Sequence, residues 1–218
     1  MNLFIMGLPG AGKGTQAEMI VRDYGVVHVS TGDMFRAAMK EGTPMGLAAK
    51  TYIDKGELVP DEVTDGIVKE RLAAADIRAH GFLLDGYPRN FHQAEKLDEI
   101  LSALTMKLDA VINIDVNPEI LVARISGRFI CRKCGATYHK IFKKPLKDYT
   151  CDVCGACDFY QRADDVPETV ENRIEINQKE SAPVLKYYVA KSLVKTVEGS
   201  TTIEQTTSEV KAALDVLK

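Results

Sequence analysis

The 218 residues carry 28 Lys and Arg against 31 Asp and Glu, a formal charge of −3, with 45% hydrophobic and 27% charged residues. This balance excludes a disordered chain, and the slight acidity argues against a surface built to neutralise many nucleic-acid phosphates. No apolar run approaches the roughly 20 residues that span a bilayer, no basic leader precedes Gly7 and no repeat runs through the chain, so a cytoplasmic protein of one or two domains is expected, without a membrane or nucleic-acid partner.

Residues 3–6 are a short apolar run ending at Gly7, and Ala17, Ile20, Val21 and Tyr24 then recur at i, i+3, i+4 and i+7. A buried strand, a glycine-rich loop and an amphipathic helix follow from that pattern. Further strands are expected at residues 26–29, 82–85, 110–114 and 193–197. Between them Ala94, Leu97, Leu101 and Leu104 share one helical face, as do Val210, Ala213, Leu214 and Leu217. The alternation predicts an α/β fold, a parallel five-stranded sheet with helices on both faces and ligands beyond the carboxyl ends of the strands. Two stretches interrupt it. Residues 31–60 carry helix signals only, with Thr31 as a candidate N-cap, Pro44 near a start, Gly56 after an end and Pro60 as a stop, and predict a helical insert. Residues 128–161 hold all five cysteines and little helical periodicity, and predict a small separate lobe. The core would then comprise residues 1–30, 61–127 and 162–218.

The loop after the first strand reads Gly7-Leu8-Pro9-Gly10-Ala11-Gly12-Lys13-Gly14-Thr15. Glycines let backbone N–H groups turn toward a phosphate, the helix N-terminus adds positive potential, and Lys13 reaches the outer phosphates. Gly10, Ala11, Gly12, Lys13, Gly14 and Thr15 are therefore candidate ATP contacts. The hydroxyl comes one residue later than in the strict G-x-x-x-x-G-K-[ST] pattern. In the lobe, Cys131-x2-Cys134 and Cys151-x2-Cys154 form two knuckles separated by 16 residues, a spacing that suits a closed, structural tetrahedral zinc site. Cys154-x2-Cys157 is also a legal knuckle, so spacing alone leaves Cys157 as an alternative fourth ligand. Lys140, Lys143, Lys144 and Lys147 are a basic run, but no recognition helix accompanies them to make a nucleic-acid reader. His28, His80, His92 and His139 do not cluster at ligand spacing and read as structural or surface residues.

The loop resembles that of nucleoside monophosphate kinases. Ser30-Thr31-Gly32-Asp33 with Arg36, Glu57-Leu58-Val59-Pro60-Asp61, Asp85-Gly86-Tyr87-Pro88-Arg89 with Gln93, Gly127-Arg128, Tyr160-Gln161-Arg162-Ala163-Asp164-Asp165 and Arg173 follow in order, and together resemble the adenylate kinase family from end to end. The resemblance implies a P-loop kinase core, an AMP-binding insert at 31–60, a zinc-binding lid at 128–161, and a monomer. It implies phosphoryl transfer from Mg·ATP to AMP giving two ADP, with Lys13, Arg89, Arg124, Arg128, Arg162 and Arg173 on the transferring groups and Asp85 positioning Mg²⁺ through water. It further implies ATP contacts from Arg128, Thr137, Tyr138 and Thr201, and AMP contacts from Thr31, Arg36, Glu57, Leu58, Val59, Gly86, Tyr87, Pro88, Arg89, Gln93, Arg162 and Arg173. The family register favours Cys154 as the fourth zinc ligand. Arginine suits this chemistry independently of any family, because its fork holds phosphate oxygens in two places and never deprotonates. Asn90 stands where bacterial adenylate kinases usually have Thr, and resembles UMP/CMP kinases. Another nucleoside monophosphate kinase is thus the rival reading. Gln93 favours AMP, since an amide pairs an acceptor with the 6-amino group of adenine and a donor with the adjacent ring nitrogen.

Overall fold

The computed structural model describes residues 1–199 and 202–217, apart from the side chains of Pro167 and Glu168. Strand β1 (Asn2–Met6) leads through the glycine loop into α1 (Lys13–Tyr24), which ends at Gly25 in the left-handed region, and β2 (Val27–Ser30) follows. The insert holds α2 (Thr31–Glu41) and α3 (Pro44–Ile53), capped by Ser30 and Thr43. Ser30, not Thr31, is the N-cap of α2: the Ser30 hydroxyl accepts from Asp33 N, and Thr31 opens the helix itself. Pro60 sits immediately before α4 (Asp61–Leu72), where its missing N–H costs nothing, and α5 (Ala75–His80) leads to β3 (Phe82–Asp85).

The chain continues through α6 (Phe91–Ala103), β4 (Ala110–Asp115) and α7 (Leu121–Ser126) into the cysteine lobe. There β5 (Arg128–Cys131) pairs antiparallel with both β6 (Thr137–His139) and β7 (Phe159–Tyr160), a small sheet that the sequence pattern does not predict. A single 3-10 turn at Ala163–Asp165 precedes the long helix α8 (Pro167–Ala190), and β8 (Val194–Glu198) and α9 (Ile203–Asp215) finish the fold.

The main sheet runs β2-β3-β1-β4-β8, all parallel, with Leu3 opposite Leu83 on one side and Ala110 on the other. The period-2 rule separates its faces. Leu3 and Ile5 pack with Ala17, Ile20, Leu121 and Leu214, whereas Phe4 and Met6 pack with Leu97, Ile100 and Tyr188. Two cores, each built from one face of β1, thus hold that strand rigid and fix where the loop after Met6 emerges.

Candidate active site

The carboxyl ends of β1, β2 and β3 open onto one cleft of about 1450 Å³, walled by the glycine loop, the helical insert, the cysteine lobe, α8 and the start of α9. Gly12 caps α1 at φ 97° and Gly10 turns the loop at φ 82°, where a β-carbon would lie 2.9 Å from Ile125. A side chain at either position would strain the loop. No side chain caps α1, so the amides of its first turn are left to a ligand. Lys13 Nζ donates to the carbonyls of Gly7 at 2.7 Å and Leu8 at 3.2 Å, which hold the ammonium inside the curve of the loop.

Arg36, Arg89, Arg124, Arg128, Arg162 and Arg173 all reach the same cleft, although they come from four different elements and two loops. Each is held by an acceptor. Arg89 Nε donates to Gly86 O at 2.7 Å, where Thr31 Oγ1 also donates at 2.8 Å. Arg36 and Arg162 share Asp33 Oδ1, at 2.5 and 3.5 Å. Arg124 Nη1 donates to Gly199 O at 2.7 Å. Arg128 grips Asp165 with two nitrogens, and Arg173 meets Asp164 at 3.0 Å and Asp165 at 3.2 Å. Asp165 is fully buried, and the two arginines are the cations paired with it.

Positive charge is in excess, and the titrations respond. Burial pushes the Lys13 ammonium down to about 8, with Arg89, Arg173 and Arg128 adding to it and Asp85 opposing. Burial and then Arg173 bring Arg89 down to about 10, and burial, Arg36 and Arg128 do the same to Arg162. A polyanion entering here would relieve both burial and repulsion. Burial alone would raise Asp85, but His28 and Lys13 outweigh it and hold the carboxyl below its usual range. His28 Nε2 lies 3.5 Å from Asp85 Oδ2, an ion-pair distance rather than a hydrogen bond, and its imidazole is raised by the same partner despite burial. His28 therefore belongs to the cleft, which a lone histidine in the sequence did not reveal.

Among the other expected contacts, Gly14, Thr15, Glu57, Leu58, Val59, Gly86, Pro88, Gln93 and Thr137 all line the cleft. Tyr87 does not. Its ring is fully buried and its hydroxyl donates to Asp65 Oδ1 at 2.7 Å, because a large aromatic with its polar tip satisfied is worth more in the core. Tyr138 edges the cleft, but its hydroxyl is turned into the lobe, donating to Cys151 Sγ at 3.4 Å and accepting from Asp152 N at 2.8 Å. Thr201 lies outside the described residues. The carboxylates Asp33, Asp164 and Asp165 stand within the sequence motifs, but nothing in their spacing marks them as holders of the arginines.

In the lobe, Cys131, Cys134, Cys151 and Cys154 bring their sulfurs within 4.8 Å of one another. Cys131 and Cys154 lie 3.6 Å apart and Cys134 and Cys151 3.5 Å, close to the edge of about 3.8 Å that a tetrahedron with Zn–S bonds of about 2.3 Å requires. The donor set thus fits zinc, and exposed Cys157 is not part of it. Among the described residues, no helix is long and apolar enough to cross a membrane.

Compared with known families, residues 5–193 match the family described as Adenylate kinase. A relative of that name from Lactococcus lactis subsp. cremoris (strain MG1363) is 67% identical over 214 residues, covering 98% of this chain and 100% of its own. Others named Adenylate kinase, from Streptococcus thermophilus (strain CNRZ 1066) and Enterococcus faecalis (strain ATCC 700802 / V583), are 60% and 59% identical, over 100% and 99% of each chain.

Proposed function

The chain belongs to the adenylate kinase family, and from that premise we propose how its cleft works. The reaction is reversible transfer of the terminal phosphoryl group of Mg·ATP to AMP, giving two ADP. Lys13 and the first-turn amides of α1 hold the phosphates of ATP, while Arg36 and Arg89 hold the phosphate of AMP. An AMP phosphate oxygen attacks the terminal phosphorus in line and the ADP oxygen departs, so no covalent enzyme intermediate and no general base is needed. Arg124, Arg128, Arg162 and Arg173 stabilise the charge that spreads over the moving group. Mg²⁺, when bound with ATP, neutralises phosphate charge, and Asp85, kept ionised beside Lys13, is the carboxylate that would orient its waters.

Residues 31–60 serve as the AMP-binding insert and 128–161 as a lid, closing over a core of 1–30, 61–127 and 162–218 so that water does not compete with AMP for the phosphoryl group. One zinc on Cys131, Cys134, Cys151 and Cys154 braces the lid and takes no part in the chemistry. The protein acts as a monomer in the cytoplasm, with ATP, AMP and ADP as its partners. The observation that carries this reading is the set of six arginines and Lys13 lining one cleft with the glycine loop, where burial and mutual repulsion depress Lys13, Arg89 and Arg162. A coupled assay of ADP formation from ATP with AMP, CMP, UMP or GMP tests it: AMP should lead. Equal turnover of UMP or CMP would sink the assignment of acceptor.

A further inference from the structure

Asp61, the first residue of α4, accepts three contacts from the N-terminal end of α6: Asn90 Nδ2 reaches both of its oxygens, at 3.0 and 3.2 Å, and Gln93 Nε2 donates to Oδ1 at 2.7 Å. The opposite end of the same amide, Gln93 Oε1, accepts from Arg89 N at 2.8 Å. Gln93 is almost wholly buried yet borders the cleft. An ionised carboxylate only accepts and a backbone N–H only donates, so chemistry allows the amide one orientation, nitrogen toward Asp61 and oxygen toward Arg89. A turn of 180° would set oxygen against carboxylate and NH₂ against N–H, losing two hydrogen bonds, one of them to a charge.

We propose that Asp61 is a specificity-determining positioning residue, which locks the Gln93 amide so that its remaining N–H and remaining lone pair present a fixed polarity to the acceptor base. This rests on the reading of the cleft as an AMP site and adds what makes it selective. A 6-aminopurine offers a donor beside a ring-nitrogen acceptor, which matches the locked amide. A 6-oxopurine reverses that pair, and a free amide would simply flip to follow it. Without Asp61 only the neutral Arg89 N–H would hold the amide, so Gln93 becomes a more permissive reader, and the carboxylate behind it supplies the charged part of the discrimination. Asn90, through its two contacts, fixes Asp61 in turn, which gives a use to the residue that set this chain apart from the usual Thr.

Inosine monophosphate is the suitable probe, because it changes the 6-position and the adjoining N1 proton without adding the 2-amino group of GMP. The experiment compares kcat/KM for AMP and IMP in the wild type and in Asp61→Asn, whose amide can face Gln93 with either end. The ratio of AMP to IMP should fall by about tenfold or more, the scale of a reader released from one charged hydrogen bond, while KM for ATP stays put. A variant that loses AMP and IMP turnover equally, with the ratio preserved, shows that Asp61 only supports the fold and overturns the proposal. If Asp61→Asn does not fold, Asp61→Ser, whose hydroxyl both donates and accepts, reports the same ratio. A wild type that uses IMP as well as AMP would instead remove the premise, and is seen before any variant is made.

Discussion

At the scale of single residues, Lys13 has a function and a cost. Its folded state releases a proton near 8 whereas the ordinary lysine value is 10.5, so between those values the unfolded chain binds more protons. Lys13 thus makes the ligand-free protein more stable as pH rises through that window, and less stable below it. Lys13→Met should lower kcat by about 10²-fold or more, leave the melting temperature at pH 7 no lower, and flatten the rise in unfolding free energy between pH 8 and 10.5; a fall in melting temperature would contradict this. Arg128 behaves differently, because it is the bidentate partner of a fully buried carboxylate. Arg128→Ala should destabilise by about 3 kcal/mol, as when one member of a buried pair is removed, besides slowing turnover. Adding Asp165→Asn should restore much of the stability and none of the activity, read by denaturant titration alongside the assay. Lys13 was legible in the sequence because glycine-rich spacing points at phosphate, whereas the arginines were singled out by the family resemblance, arginine chemistry showing only that they suit it. Their anionic holders were not, since spacing does not say which of Asp33, Asp164 and Asp165 is buried or against whom.

At the scale of elements, the strands and the helices at both ends of the chain followed from short apolar runs and 3.6-residue periodicity. Helix α8 did not. Its apolar contacts, Val170, Ile174, Val184 and Tyr188, are separated by a polar stretch that faces the cleft and the insert, and Pro183 interrupts the pattern. The strands of the lobe are two to four residues long, too short to show alternation, so that sheet was invisible while its cysteines were plain. Spacing allowed Cys157 as a ligand, but the sulfur that joins the cluster is that of Cys154. Cys131→Ser should therefore abolish zinc binding and lower the melting temperature yet keep much activity in the cold, whereas Cys157→Ser keeps its zinc; metal content by mass spectrometry and melting curves decide both. Activity lost in the cold together with zinc, from a protein still fully stable, would make the metal part of the chemistry.

At the scale of the whole molecule, thin contacts tie the insert and the lobe, proposed to close over the cleft, to the rest of the chain: Arg162 to Asp33 at 3.5 Å, Lys143 to Glu18 at 3.1 Å, and Asn172 Nδ2 to Lys55 O at 2.8 Å. The Lys143 pair is partly exposed, and such pairs contribute about 1 kcal/mol or less. Lys143→Ala should then shift the balance of lid positions by no more than about fivefold, measured by energy transfer between dyes on the lobe and on α1; a larger shift would make this pair a latch. The lobe's attachment has a consequence of another kind. Ile130 pairs with Tyr160, and Gln161 Nε2 reaches Ser126 O at 3.0 Å, so the chain departs and returns through neighbouring doors. Inside them Cys131, Tyr138 and Cys151 pack with Phe129 and Phe159 as a nucleus of their own. Such a segment is a cassette: an engineer can lengthen it, trade its four thiols for a polar network, or cut it to a turn, tuning the heat tolerance of the lobe while the parallel sheet beneath keeps its threading.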